Sequence, residues 1–389
     1  MQRRIADIEI LRGIAISLVV FQNLKTVLFE DQNRWLNWLL SFFDFSVGLD
    51  IFFAITGFVV ALSFMSGLTG EEKGRQPFAE VISFWVRQVW RLWPSAWLWL
   101  GVILLAATVA NRSGQFGSIR ANAEATVVAL LQVANFRFFA SRIEHFEYGA
   151  SFYYWPLSQQ AQFYILLPLL IILLRRRVVA LLVAVIVIRA MLALIYPELQ
   201  SLVLVMLARS DAMLLGVLLA VWSITPSHRL FEPFIFQHRL ARWILLPLLF
   251  ICLSALACNQ LHIAPDPLRF IIIGGFATIP VFIASYDKGF FCATGVLHKL
   301  LLWLGSRSYG LYLIHVPIFL LSKELWFESS MMKGLFHAPF SPHHVFATLL
   351  LTLALSELNY RLVEAPLRRH GIDVAKKIQM RRSAELSAV

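Results

Sequence analysis

Residues Ile8 to Leu24 read IEILRGIAISLVVFQNL, an apolar stretch with an acid and an arginine near its start and an amide pair near its end. On a helix the step from Arg12 to Asn23 is close to three turns, which puts both side chains on one face about 16 Å apart. Glu9 lies one turn before Arg12 on that face. A charge inside a membrane helix costs at least about 2.5–3.5 kcal/mol on insertion scales, so this face is expected to look into a helix bundle or a wet cavity. The stretch therefore predicts a membrane helix and, with it, the wall of a site.

Composition extends the membrane reading to the whole chain. With 59% hydrophobic residues, 15% charged and 32 Phe, the 389 residues carry more apolar surface than one soluble core buries. A mean hydropathy of +0.71 agrees. The expected fold class is all-α, a polytopic membrane helix bundle of about ten transmembrane helices. A net charge of +11 could suit nucleic acid, but the basic residues are dispersed among short segments between apolar runs, which is juxtamembrane charge. The partner it implies is the lipid bilayer, not nucleic acid. Cys252, Cys258 and Cys292 lack metal-ligand spacing and read as packing residues, so no metal site is expected.

Spanning-length runs fall near residues 6–27, 46–67, 83–110, 154–174, 178–195, 201–223, 243–258, 270–286, 300–321 and 343–363. A further stretch from Val127 to Ala140 is short and interrupted by Gln132, Asn135 and Arg137, and is set aside. The run after MQRR carries Glu9 and Arg12 and no small-residue cleavage site, so it reads as a first span and not as a cleavable leader. If MQRR lies in the cytoplasm, ten spans place Lys73, Arg75, Arg175 to Arg177, Arg229, Arg239, Lys288 and the basic tail from Arg368 to Arg382 on the inner side. Both termini are then cytoplasmic. The segment from Asn111 to Phe152 is external despite Arg112, Arg120, Arg137 and Arg142. One membrane domain over residues 1–369 and a partly disordered basic cytoplasmic tail over residues 370–389 account for the chain.

The remaining intramembrane polar groups form a set. In GLDIFFAITGF, Asp50 lies near a span end, and Thr56 and Gly57 suit close helix packing. In WVRQVWRLWP, Arg87 and Arg91 share a face at i, i+4 among Trp85, Trp90 and Trp93; they are either snorkelling cations in an aromatic belt or a phosphate clamp. In YYWPLSQQAQFY, Ser158 and Gln162 are one turn apart with Gln159 and Gln160 between them, and such amides need partners in a dry bundle. Arg209 and Asp211 can form a local ion pair. Tyr309, Tyr312 and His315 recur at helical spacing in GSRSYGLYLIHVP, where a single His is ordinarily a hydrogen-bonded packing residue.

The ordered series RIADIEILRGIA, GLDIFFAITGF, RQVWRLWP, WPLSQQAQFY, RSDAMLLGVLLA, GSRSYGLYLIHVP and NYRLVEAPLRR resembles the integral-membrane acyltransferase 3 family from about residue 3 to residue 369. The resemblance implies a multi-pass protein of the bacterial inner (plasma) membrane. It would move an acyl group, acetyl foremost, from a cytoplasmic acyl-CoA to a hydroxyl of a cell-surface or exported glycan or a lipid-linked sugar. Acyl-CoA is then a donor substrate, and no permanently bound cofactor is implied. Arg12 matches the family's first-helix arginine, with Glu9 where an aspartate is usual. Asp50, Phe52, Phe53, Thr56 and Gly57 match a second-helix motif with Thr in place of Ser. Arg87, Arg91 and Pro94 match the arginine motif that faces the donor.

The departures fall where chemistry is expected. The family's catalytic histidine, eleven residues after the arginine, is Asn23 here, and its two acidic positions before QFY are Gln160 and Ala161. A carboxamide cannot take a proton from a sugar hydroxyl near neutral pH, and losing a general base costs on the order of 10²–10⁴ in rate. Asn23 can still hydrogen-bond an acceptor or a thioester oxygen. The expected site is Arg12, Asn23 and Gln160 as the catalytic set and Arg87 and Arg91 as donor ligands. Glu9, Asp50, Ser158, Arg209, Asp211, Tyr309 and His315 would support them in one polar cavity. Two functions remain open: an acyltransferase whose base has moved, with His315 or His145 as stand-in, or an inactive member that serves as a membrane binding, transport or partner subunit.

Overall fold

The apolar runs fold as helices because a lipid-facing backbone must satisfy its own hydrogen bonds. The structure, a computed structural model, describes residues 5–28, 38, 40–64, 77–175, 177–195, 209–258, 266–292, 294–332 and 342–387. In chain order the helices are α1 (Ala6–Leu28), α2 (Val47–Ser63), α3 (Pro77–Val109), α4 (Ile119–Leu130), α5 (Ala134–Glu144), α6 (Trp155–Leu174), α7 (Arg177–Ile195) and α8 (Ser210–Ser223). They continue as α9 (Pro226–Leu230), α10 (Arg239–Ala257), α11 (Asp266–Ala284), α12 (Val296–Ser306), α13 (Ser308–Met332) and α14 (Pro342–Asn359), then a π-helical turn (Tyr360–Glu364) and α15 (Ala365–Ser387). No strand occurs among the described residues.

Over the described residues each expected run falls on helix. Six stretches among the described residues are long and apolar enough to cross a membrane: Phe78–Val109, Phe152–Leu174, Arg177–Ile195, Arg239–Ala257, Ser308–Ser329 and Pro342–Met380. α2, α8, α11 and α12 are shorter apolar helices. Outward-facing Val183, Val187, Ile188, Met191 and Leu194 give α7 a lipid-facing side. The protein is thus a polytopic helical membrane protein. Residues 201–208, Lys73, Arg75 and Arg176, on which parts of the span and charge readings fell, lie outside the described residues.

Two local expectations change. The run over 300–321 is not one helix: α12 ends at Ser306 and α13 starts at Ser308, with Arg307 between them donating to Ser306 Oγ at 2.6 Å and lying over the Trp303 ring. The segment after Arg369 is not irregular, because α15 runs through that boundary to Ser387. Gly371 there lets the helix lie directly on Trp90, whose Cβ would be 2.5 Å from any added side-chain carbon, and Ser83 Oγ donates to the Ala375 carbonyl at 3.4 Å. The set-aside stretch Val127–Ala140 is a break between α4 and α5, at Gln132 with φ 59°. The basic residues expected outside have acids beside them: Arg112 pairs with Glu328 at 3.4 Å, and Arg120 and Arg137 each pair with Glu124 at 2.9 Å.

The chain divides into two compact units, residues 1–65 with 177–308, and residues 66–176 with 309–389. In the first, α2 and α8 pack at backbone distance. A Cβ on Gly57 would collide with the Met213 carbonyl, and one on Gly216 with the Ala54 carbonyl, which is the small-residue packing expected of Gly57. α1 packs on α12 and α2, and α11 covers α2 and α8. In the second unit, α15 lies along α3, and the α4–α5 pair joins α3 to α6. Its buried tyrosines donate to backbone carbonyls: Tyr309 to Leu92 at 2.6 Å, Tyr154 to Ala96 at 3.1 Å, Tyr153 to Leu313 at 2.9 Å and Tyr312 to Tyr153 at 2.6 Å. Each hydroxyl thereby enters the apolar interior with its donor satisfied.

Candidate functional site

In the first unit α1 holds Glu9 and Arg12 on one face, as the spacing predicts. Arg12 Nη1 donates to Glu9 Oε1 at 2.6 Å, and both side chains are half-buried. Three turns on, Asn23 Nδ2 donates to the Val19 carbonyl of its own helix at 3.0 Å. Its neighbour Gln22 reaches out instead, and its Oε1 accepts from the Phe45 amide at 3.0 Å.

Asp50, fully buried in the first turn of α2, faces Arg209, whose Nη1 lies 3.6 Å from Oδ2. Arg209 also donates to the Ser46 carbonyl at 3.3 Å and the Ser46 hydroxyl at 2.9 Å. The local Arg209–Asp211 pair does not form. Arg209 precedes α8 in a left-handed conformation, φ 63°, and is directed at α2, whereas Asp211 in the first turn of α8 takes Arg189 of α7 at 2.7 Å. That pair is almost completely buried, with Arg189 5% exposed and also donating to Ser210 Oγ at 3.2 Å. Arg189 escaped the sequence reading, although an arginine inside an apolar run of spanning length is itself a signal.

In the second unit Arg87 and Arg91 lie half-buried, one turn apart on α3. Neither forms a hydrogen bond or an ion pair with a described residue; Glu80 is the acid whose field Arg87 feels. Near Arg91, Tyr309 lies in the field of both that guanidinium and the carboxylate of Glu364. Glu364 closes the π-helical turn and accepts from Asn359 Nδ2 at 2.7 Å. Asn359 in turn exchanges hydrogen bonds with Ser95 and accepts from Trp99 at 3.3 Å. Glu364 belongs to the NYRLVEAPLRR segment, where local spacing assigns it no role. π-Helical turns inside helices recur at functional sites, and this one puts an acid beside the tyrosine next to Arg91.

Gln160, Gln162 and Ser158 of α6 have partners. Gln160 Nε2 donates to the Tyr164 hydroxyl at 2.5 Å; Gln162 exchanges hydrogen bonds with Asn135 and donates to the Gln132 carbonyl at 2.9 Å; Ser158 Oγ accepts from the Ala134 amide at 3.1 Å. Gln162 and Ser158 thus tie α6 to the start of α5, whereas Gln160, Ser158 and Tyr309 also line a narrow cleft of about 20 Å³, room for a single water-sized group, between α3 and α6. His315 is fully buried in α13; its Nδ1 meets the Leu311 carbonyl at 3.0 Å, and its Nε2 has no hydrogen-bond partner among the described residues. Rings of Tyr153, Tyr312 and Phe319 surround it. His145, the other stand-in, is exposed at the end of α5. Among the described residues no group of three His, Cys, Asp or Glu side chains could hold a metal ion.

The expected single set is therefore carried by two units, with Glu9, Arg12, Asn23, Asp50, Arg209 and Asp211 on the first and Arg87, Arg91, Ser158, Gln160, Tyr309 and His315 on the second. A helical membrane frame with two arginines one turn apart on α3, ion-paired intramembrane acids and an arginine-bearing first helix defines a class, and comparison with known proteins gives it a family. The profile of the acyltransferase 3 family, described as an acyltransferase domain, matches residues 5–358, and the chain belongs to that family. Over 350 residues it is 24% identical to the "O-acetyltransferase OatA" of Staphylococcus aureus, covering 84% of this chain and 53% of the relative. Over 399 residues it is 25% identical to the "Putative peptidoglycan O-acetyltransferase YrhL" of Bacillus subtilis, covering 95% and 56%. The chain thus spans about half the length of these relatives. No solved structure matches it.

Proposed function

We propose that this protein is a membrane O-acyltransferase that takes an acyl group, acetyl foremost, from a cytoplasmic acyl-CoA and passes it to a hydroxyl of an exported or cell-surface glycan. The carrying observation is the pair Arg87 and Arg91, two half-buried guanidinium groups one turn apart without an ion pair among the described residues. Cations left unneutralised at a partly desolvated helix face suit a polyanion, and the phosphates of a CoA ester supply one. Acyl transfer joins the acceptor oxygen to the acyl carbon, expels the CoA thiolate and requires a group that takes the hydroxyl proton. At the family's base position Asn23 cannot take it. The imidazole of His315, with Nε2 unpartnered, is the better stand-in than exposed His145. Membership of the family and the names of OatA and YrhL support a glycan acceptor. The bacterial plasma membrane, with both termini in the cytoplasm, is the location that fits a cytoplasmic donor.

A second reading has its own observation. Asn23 is bonded back onto its own helix at Val19, as expected of an idle position, and this favours a non-catalytic member that binds donor without turning it over. Purified protein with labelled acyl-CoA separates the two. Transfer or thioester hydrolysis that is lost in His315→Gln supports the enzyme, whereas donor binding without either reaction supports the second reading.

A further inference from the structure

From Leu230 into the first turns of α10 the large apolar side chains stay exposed, with Phe236 the buried exception. Leu230, Phe231, Phe234, Ile235, Leu240 and Trp243 are all exposed, Trp243 to 66%, and Arg229, His238 and Arg239 are exposed among them. Large apolar side chains interleaved with cations match the membrane interface, where the former enter the acyl-chain boundary and the latter stay at headgroup level. The one carboxylate of this segment, Glu232, is paired with Lys288 at 2.5 Å, so the segment presents net positive charge.

A groove of about 370 Å³ opens beside it. Arg239 and Arg242, at i, i+3 on α10, stand at one part of its wall, and Trp243, Leu246, Phe250 and Phe291 line the rest. Arg242 is held in place by a 3.0 Å hydrogen bond from Nη1 to the Gly289 carbonyl. Arg239 is exposed, and no described residue pairs with it. We propose that this groove is a binding site for an anionic phospholipid, with the headgroup phosphate between Arg239 and Arg242 and one acyl chain laid over Leu246, Phe250 and Phe291. Charge complementarity selects the occupant, because a zwitterionic or neutral lipid would bring no net negative charge to two clustered guanidinium groups. The site is independent of the acyl-transfer reading and lies wholly within the first unit.

The test uses the full chain in phosphatidylcholine bilayers containing a rising fraction of brominated-chain phosphatidylglycerol or brominated-chain phosphatidylcholine, with quenching of tryptophan emission as the readout. Brominated phosphatidylglycerol is expected to quench more than brominated phosphatidylcholine at equal mole fraction. That excess should vanish in Trp243→Phe and persist when coenzyme A is added. Because Arg239 is exposed, Arg239→Gln should fold normally and bind phosphatidylglycerol about fivefold more weakly. Equal quenching by the two lipids, an excess that survives Trp243→Phe, an unchanged Arg239→Gln, or displacement by coenzyme A would each overturn the assignment.

Discussion

An amide on α1 where a base is usual makes Asn23 the most informative single residue. Asn23→His restores an imidazole three turns from Arg12 on the same face, and it is expected to raise acyl transfer within the roughly 10²–10⁴ range that a general base supplies. The gain should be partial, because Gln160 and Ala161 leave the site without the usual carboxylates. Turnover measured on purified wild type and variant, with His315→Gln beside them, tells whether the base has moved: a wild type that is active and unimproved by Asn23→His must lose activity in His315→Gln. A different residue pair governs stability. Breaking the buried Arg189–Asp211 pair by Asp211→Asn strands a guanidinium and should cost about 3–5 kcal/mol, whereas replacing both residues by apolar ones of similar size should cost much less. Thermal unfolding of wild type and the two variants checks this. His228, between α8 and α10, is stacked at 4.2 Å on Tyr286 and bonded through Nε2 to Ser285 Oγ at 2.9 Å. Burial lowers its pKa from 6.5. The unfolded imidazole then takes up a proton that the folded one refuses, so its contribution is complete above about pH 6.5 and declines as pH falls below that value. The fall in unfolding temperature between about pH 7 and pH 5 should be smaller in His228→Gln, which keeps a hydrogen-bonding side chain and does not titrate.

Helix-scale features were legible wherever hydrophobic period alone decides them. Where the structure describes them, the ten apolar runs fall on helices, and the Gln132 interruption that argued against a further span is the φ 59° break between α4 and α5. Less legible were features that depend on a partner. Nothing in the composition of residues 370–389 announces a helix; its contact with Trp90 and the hydroxyl of Ser83 supplies the reason for one. The break at Arg307 was hidden because the residues on both sides are equally apolar. Helix packing gives a test of its own. A methyl added at Gly57 meets the Met213 carbonyl of α8, so Gly57→Ala should destabilise by at least the 1–3 kcal/mol typical of overpacking, about. Gly101→Ala, in α3 with open space around its Cα, should be neutral or gain roughly 0.5–1 kcal/mol. Unfolding midpoints of the two variants, measured in the same detergent, should therefore move in opposite directions or differ by several degrees.

For the whole molecule, residue types pointed to a set of intramembrane polar groups sooner than to their pairings. Spacing within one helix was enough for Glu9 with Arg12 and for Arg87 above Arg91, because i, i+3 and i, i+4 neighbours share a face. Arg189 with Asp211, Arg209 with Asp50, and Glu364 beside Tyr309 and Arg91 join residues on different elements, and no local spacing encodes them. The charge argument for topology operates at this scale too. Arg112, Arg120 and Arg137 lie in a long segment, where the rule is weak, so the weight of positive charge stays with the inner segments, and a reporter fused to the C-terminus should read as cytoplasmic in intact cells. The central claim is that α3 holds the donor by Arg87 and Arg91 for acyl transfer, and its most direct test is equilibrium binding of labelled acetyl-CoA to purified protein coupled to a transfer assay. Wild type should bind donor with an affinity that weakens as salt rises, Arg87→Ala with Arg91→Ala should lose most of that binding, and transfer should fall in parallel. Donor affinity that is the same in the double variant and insensitive to salt would contradict the account.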